Sequence, residues 1–269
     1  MTLLGGVLAG LIGVVLGILG AGGAILTVPV LVYVLGYSIK AAVPMSLLIV
    51  GVASAVGLVA YQRGRAVSWD AVAAFAPSAM VGAFGGGVAA AFVSSRMQLV
   101  VFGALLLSAS VAMLAWPAPS AVETELVGPR RSWWLIAVLG AAVGFLTGLV
   151  GVGGGFLYVP VLTLMGGLAM RRAVGTSLAL IVVSCTVGLL THLRHAALDL
   201  GAASLFMVPM ALGALIGTRL APSMSQVTLR RAFAGVLVGI GVTGLFTAGR
   251  EGSHVLSTDC QRPSLPVRV

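Results

Sequence analysis

The chain has 269 residues, of which 59% are hydrophobic and only 8% charged, against about a quarter charged in soluble domains. Fifteen Lys and Arg against six Asp and Glu give a net charge of +9. The basic residues lie singly or in pairs between apolar runs, a pattern of membrane topology and headgroup contact rather than nucleic-acid binding. A soluble globular enzyme is excluded, because only lipid can bury apolar runs of such length in a chain of this size.

Apolar runs occupy 3–36, 42–61, 71–93, 99–116, 133–168, 173–192, 200–220 and 231–248, four on each side of a polar centre. They predict an all-α polytopic membrane protein made of two homologous halves, each with about four spanning segments. No Lys or Arg precedes the first run, so it lacks the basic n-region of a cleaved signal peptide and serves as the targeting span itself. As one straight helix, 3–36 would reach roughly 50 Å, far beyond a hydrocarbon core of about 30 Å. A break is expected at Gly20–Gly23, where successive glycines weaken a helix. Residues 117–132, with Pro117, Pro119, Glu123, Glu125 and Pro129, read as the linker between a first repeat at 1–116 and a second at 133–249. The run 133–168 has the same excess length and is expected to break at Gly151–Gly155. Residues 250–269 are polar and weakly patterned and read as a disordered tail. Trp69, Trp116, Trp133 and Trp134 mark run ends, where an indole N–H can meet headgroups. Cys185 lies in a run and Cys260 in the tail, which suggests no disulfide framework. No spacing of His, Cys or carboxylates suits a metal, and no cofactor is implied.

Residues 17–31, GILGAGGAILTVPVL, return at 148–162 as GLVGVGGGFLYVPVL, nine of fifteen identical at an offset of 131. The same offset pairs Lys40 with Arg171, Ser46 with Ser177, Tyr61 with His192, Arg63 with Arg194, and Gly82-xxx-Gly86 with Gly213-xxx-Gly217. Gly-xxx-Gly spacing lets two membrane helices approach closely, so 82/86 and 213/217 are expected at equivalent contacts. Gly6/Gly10, Gly140/Gly144/Gly148 and Gly235/Gly239 repeat the spacing and read as packing residues. Four crossings per half would make the repeats parallel and five would make them inverted. With eight spans, Lys and Arg divide eight to seven between the two sides, which leaves orientation open.

The chemistry is expected at the two breaks: Gly20, Gly22 and Gly23 with Pro29, and Gly151, Gly153 and Gly154 with Pro160. Neither cluster has the spacing of a dinucleotide fingerprint or a phosphate-binding loop. A broken membrane helix exposes unpaired backbone N–H groups at the positive end of a dipole, which suits an anion. Kink packing alone is the plainer alternative. The doubling, with a proline six residues after the last shared glycine each time, favours a substrate-lining role. Ser46, Thr176 and Ser177 can donate to a bound oxyanion or cap a helix. The spans contain no Asp or Glu, which argues against a cation or proton pump and for an anionic or neutral substrate. Arg63 and Arg194 read as headgroup charges, and His192 and His195 as interfacial side chains. An intramembrane enzyme would need a nucleophile with a base, a metal or paired carboxylates, none of which the spans supply. A scaffold without transport and an anion channel stay open as alternatives.

Gly20-x-Gly22-Gly23-x5-Pro29 and Gly151-x-Gly153-Gly154-x5-Pro160 are followed by Ala42-Val43-x2-Ser46-Leu47 and Ala173-Val174-x2-Ser177-Leu178. Together these motifs resemble the TauE/SafE family of sulfite and organosulfur anion transporters over about residues 3–248. The resemblance implies a multi-pass plasma-membrane transporter of about eight spans that moves small sulfur anions such as sulfite, sulfoacetate or thiosulfate. Pro44-Met45 departs from the family's Ala-Thr type of pair before Ser46, so the two half-sites are expected to be unequal. The expected partners are a small anion and membrane lipid, with no nucleic acid; self-association into a homo-oligomer stays open. Secondary export is expected to proceed by rocking of one half against the other around a midplane site.

Overall fold

The computed structural model describes residues 2–20, 26–28, 30–31, 36–37, 39–90, 92–93, 95–115, 133–150, 155–192 and 200–259. Among them there is no strand, as a bilayer demands of a chain that must satisfy its backbone within each segment. The helices are α1 (Thr2–Leu19), α2 (Ile39–Arg63), α3 (Trp69–Ala90), α4 (Ser95–Ala115), α5 (Trp133–Val150), α6 (Gly155–Pro160), α7 (Met170–His192), α8 (Leu200–Leu220) and α9 (Gln226–Asp259). A π-helical turn, Val161–Met165, continues α6. Pro44–Arg63, Trp69–Ala89, Met170–Leu190 and Ala203–Ser223 are each long and apolar enough to cross a membrane. α9 runs through Asp259 into the stretch that the sequence reads as a tail; residues 260–269 lie outside the described residues.

α1 ends at Leu19 and α5 at Val150, both immediately before a glycine cluster and 131 residues apart. Gly20 thus stops α1 where the sequence places the first break. Gly151–Gly154 themselves lie outside the described residues.

α1 packs on α8, and α3 packs on α5. A Cβ at Gly13 or Gly17 would strike the carbonyl of Met210 or Ala214, and one at Gly213 or Gly217 that of Gly10 or Val14. Residue numbers rise together along this seam, so α1 and α8 are parallel. The same four contacts recur 131 residues away: Gly144 on Ala79, Gly148 on Ala83, Gly82 on Ala141 and Gly86 on Phe145. Glycine here removes the side chain that would hold the backbones apart, allowing Cα–H···O contacts worth about 0.5–1 kcal/mol each. Gly235 and Gly239 share the spacing without the contact, since no described atom lies within 4 Å of a Cβ added at either.

The centre is built differently. α2 packs on α7 through side chains: a methyl at Gly188, Gly51 or Gly57 would lie 3.2 Å from Leu47, Cys185 or Leu178 respectively. One series rises as the other falls, so α2 and α7 are antiparallel. α4 and α9 are antiparallel too, with Ser110 Oγ donating to the Ala234 carbonyl at 3.1 Å and Gly241 facing Leu106 and Leu107. These directions and the short α2–α3, α3–α4 and α8–α9 connections put the ends of α1, α2, α4 and α8 beside the starts of α3, α5, α7 and α9. The first helix of each sequence half therefore packs on the third helix of the other, and the halves interleave rather than sit side by side.

Candidate functional site

The polar contacts in question gather where α1 stops. Gly20 has φ +76°, the left-handed conformation that ends helices, and its N–H reaches the Leu16 carbonyl at 2.7 Å. It is buried against the second turn of α7, where a Cβ would come within 2.6 Å of Ser177 Oγ. The Ser177 hydroxyl donates to the Val174 carbonyl at 2.7 Å and to the Gly20 carbonyl at 3.3 Å. Tyr61 Oη, from the last turn of α2, donates to the Gly17 carbonyl at 3.2 Å. The last four carbonyls of a helix have no partner within it. Each left unmet in an apolar interior costs about 1–3 kcal/mol. Side chains of α2 and α7 thus take up carbonyls that the glycine break leaves open.

Thr176 has a different task. Its Oγ accepts the backbone N–H of Ser68 at 3.0 Å, the residue just before α3, so it caps the start of a helix other than its own. Beside it, a Cβ at Gly175 would strike the Ala66 carbonyl, so the α2–α3 turn is seated directly on α7. Thr176 and Ser177 are both 0% exposed. The turn above them is basic: Arg63 and Arg65 are exposed, and the Arg171 guanidinium lies 3.7 Å from a Cβ placed at Gly64.

Ser46 is buried near the start of α2, toward the opposite end of the bundle. Gly57 faces Leu178, so about eleven residues of helix, roughly 17 Å, separate Ser46 from the level of Ser177. The two serines are therefore not facing members of one cluster. Pro160 is buried at the end of α6, where the chain widens into the π turn closed by Gly166 N–H on the Val161 carbonyl at 2.9 Å. Such single π turns accompany interruptions of the helical ladder. Thr163 Oγ donates to the carbonyls of Val159 and Pro160 at 2.9 and 3.0 Å. Gly22, Gly23, Pro29, Gly151, Gly153 and Gly154 lie outside the described residues.

Several site-forming residues carry no motif. Tyr61 is one. Tyr158 is another: its hydroxyl shares a hydrogen bond with Ser184 Oγ at 3.0 Å, and its ring stands edge-on to Phe75 at 5.9 Å, tying α6 to α7 and α3. Ser54, midway along α2, is 0% exposed and its hydroxyl has no partner among the described residues. The offset of 131 pairs it with Cys185, the one sign in the sequence that this level of the bundle holds an unusual pair.

The family model described as sulfite exporter TauE/SafE matches residues 4–244. A protein of Xylella fastidiosa named Probable membrane transporter protein is 30% identical over 238 residues, covering 87% of this chain and 90% of its own. A likewise named protein of Methanocaldococcus jannaschii is 25% identical over 256 residues, covering 88% and 92%. No solved structure matches the chain significantly. Family and relatives are membrane transporters, not enzymes. A match across nearly the whole hydrophobic region makes this protein a member of the TauE/SafE family of membrane transporters.

Proposed function

We propose that the protein is a secondary transporter of the plasma membrane that exports a small anion, sulfite or an organosulfonate. The observation that carries this reading is the junction of Gly20 with Ser177 and Tyr61. It brings a helix break, two hydroxyls and three helices from both sequence halves to one buried point. A structural kink would need only the glycine. The substrate would be held by backbone N–H groups of Gly22, Gly23, Gly153 and Gly154, where a dry setting and aligned dipoles favour negative charge. Ser46, Ser177 and the residues around Pro160 would line its path from opposite ends. Sulfite export is the named role of the family, and apolar runs free of Asp and Glu fit an anionic solute.

The moving bodies in alternating access would not be the two sequence halves. The α1–α8 and α3–α5 seams join helices from different halves through backbone contacts, so each pair moves as a unit about the side-chain interface of α2 and α7. Flux of radiolabelled sulfite and sulfoacetate in proteoliposomes tests the reading. Saturable flux is expected, and Gly153→Val should abolish it while the protein stays folded in the membrane. No flux of any small anion would reduce the protein to a scaffold. Unchanged flux in G153V would remove that cluster from the path.

A further inference from the structure

Helix direction decides what hydropathy leaves open: which side of the membrane each end of the bundle faces. Two repeats related by an axis along the membrane normal run their equivalent helices in the same sense; an axis in the membrane plane turns one repeat over. α2 and α7 begin 131 residues apart and are antiparallel, as are the equivalent α4 and α9. α1 meanwhile runs parallel to α8 and α3 to α5, as the same in-plane axis requires. The stretch holding α6 and the π turn therefore carries the chain from the end where α5 stops to the end where α7 starts. Gly20 and Ile39 likewise lie at opposite ends of the bundle. Each repeat then passes through the bundle five times, not four.

This assignment regroups the charges. The α2–α3 turn with Arg63 and Arg65, the start of α7 with Arg171 and Arg172, and the α8–α9 junction with Arg219, Arg230 and Arg231 all belong to one end. They hold seven Lys and Arg among the described residues. The other end has Lys40, Arg96 and Arg250 among the described residues. Counted on residues flanking helices and in the connections between them, where the positive-inside bias operates, the near-tie of an eight-span reading disappears.

We propose that the end carrying the α2–α3 turn faces the cytoplasm, with the start of α1 and the far end of α9 on the opposite side. The Gly20–Ser177 junction then lies toward the cytoplasmic end, under a turn bearing exposed guanidinium groups, on the side from which an exporter loads. The sidedness itself does not depend on what is transported.

Cysteine accessibility tests it in intact cells with a membrane-impermeant maleimide. The native Cys260 directly follows α9 in the sequence, and Cys185 is buried. Phe92→Cys in the exposed α3–α4 turn, and Arg65→Cys and Gln226→Cys at the other end, are each placed in a Cys260→Ser background. Cys260 and the F92C thiol should be modified from outside, and the R65C and Q226C thiols only after detergent. Modification of R65C and Q226C from outside, with Cys260 and F92C protected, would overturn the orientation. F92C and R65C reacting from the same face would overturn the in-plane axis.

Discussion

The α1–α8 and α3–α5 seams and the α2–α7 interface are both helix pairs in one bundle, yet they are held by different physics. In the seams, glycine lets one backbone rest on another, so each contact is short, repeated and unable to slide without a clash. Between α2 and α7, leucine and cysteine side chains meet isolated glycines, and hydroxyls lie buried beside them. Side chains can change rotamer where carbonyls cannot retreat. A transporter needs both: parts that keep their shape and an interface that can give.

The largest effect should come from placing a side chain in a seam. Gly213→Val drives carbon into the Gly10 carbonyl, and its counterpart Gly82→Val drives it into that of Ala141. At about 1–3 kcal/mol or more for overpacking, and about 2–4 °C per kcal/mol for a chain of this size, each variant should lose roughly 5–10 °C in detergent melting. The two losses should match. Tolerance of one alone would show that the seams are not energetic equivalents. Gly235→Ala, which meets no described atom within 4 Å, is the control and should leave the Tm unchanged or raise it slightly.

The helices, the break at Gly20, the whole α3–α5 seam and half of the α1–α8 seam are legible in the sequence because each follows from a local rule. A run of 34 apolar residues outreaches the bilayer, consecutive glycines stop a helix, and Gly-xxx-Gly marks close approach. The same rule overreaches at Gly235 and Gly239, where the spacing exists but an added Cβ would strike no facing backbone, and it overlooks Gly13, which with Gly17 shares the spacing. Partner choice is not local. Nothing in residues 2–19 says that they lie on 200–220 rather than on a helix of their own half, so interleaving and helix direction emerge only in three dimensions. Of the candidate site, Gly20 and Ser177 meet as a pair, whereas Thr176 is committed to capping α3 and Ser46 lies at another level. Tyr61 was invisible because a tyrosine at a run end has an ordinary interfacial reading, and its bond to Gly17 depends on how α1 and α2 pack.

A smaller and opposite effect is expected at the α2–α7 level. Ser54 keeps a buried hydroxyl without a partner among the described residues, a situation that costs about 1–3 kcal/mol. Ser54→Ala removes the polar atom with little change of volume, so the Tm should rise by a few degrees. Falling sulfite flux in the same variant would show that the solute supplies the missing partner during its passage. A lowered Tm would mean that the hydroxyl is already satisfied.

The smallest effect tests whether the stitch between α2 and α1 is only structural. Tyr61→Phe leaves the ring in place and withdraws one donor from the Gly17 carbonyl. Interhelical hydrogen bonds in membrane proteins average about 0.6 kcal/mol, so the Tm should fall by only a degree or two. The chain places a histidine at the equivalent position of the second half, His192. Tyr61→His therefore offers a ring N–H donor that the sequence carries at the repeat-equivalent position, and it should recover part of the small loss if the bond rather than the ring matters. Flux decides the rest. A merely structural bond would leave transport near normal in both variants once equal amounts of folded protein are compared. A several-fold change in flux with so slight a change in Tm would mean that the Tyr61–Gly17 contact is made and broken during the cycle, and that the end of α1 moves relative to α2.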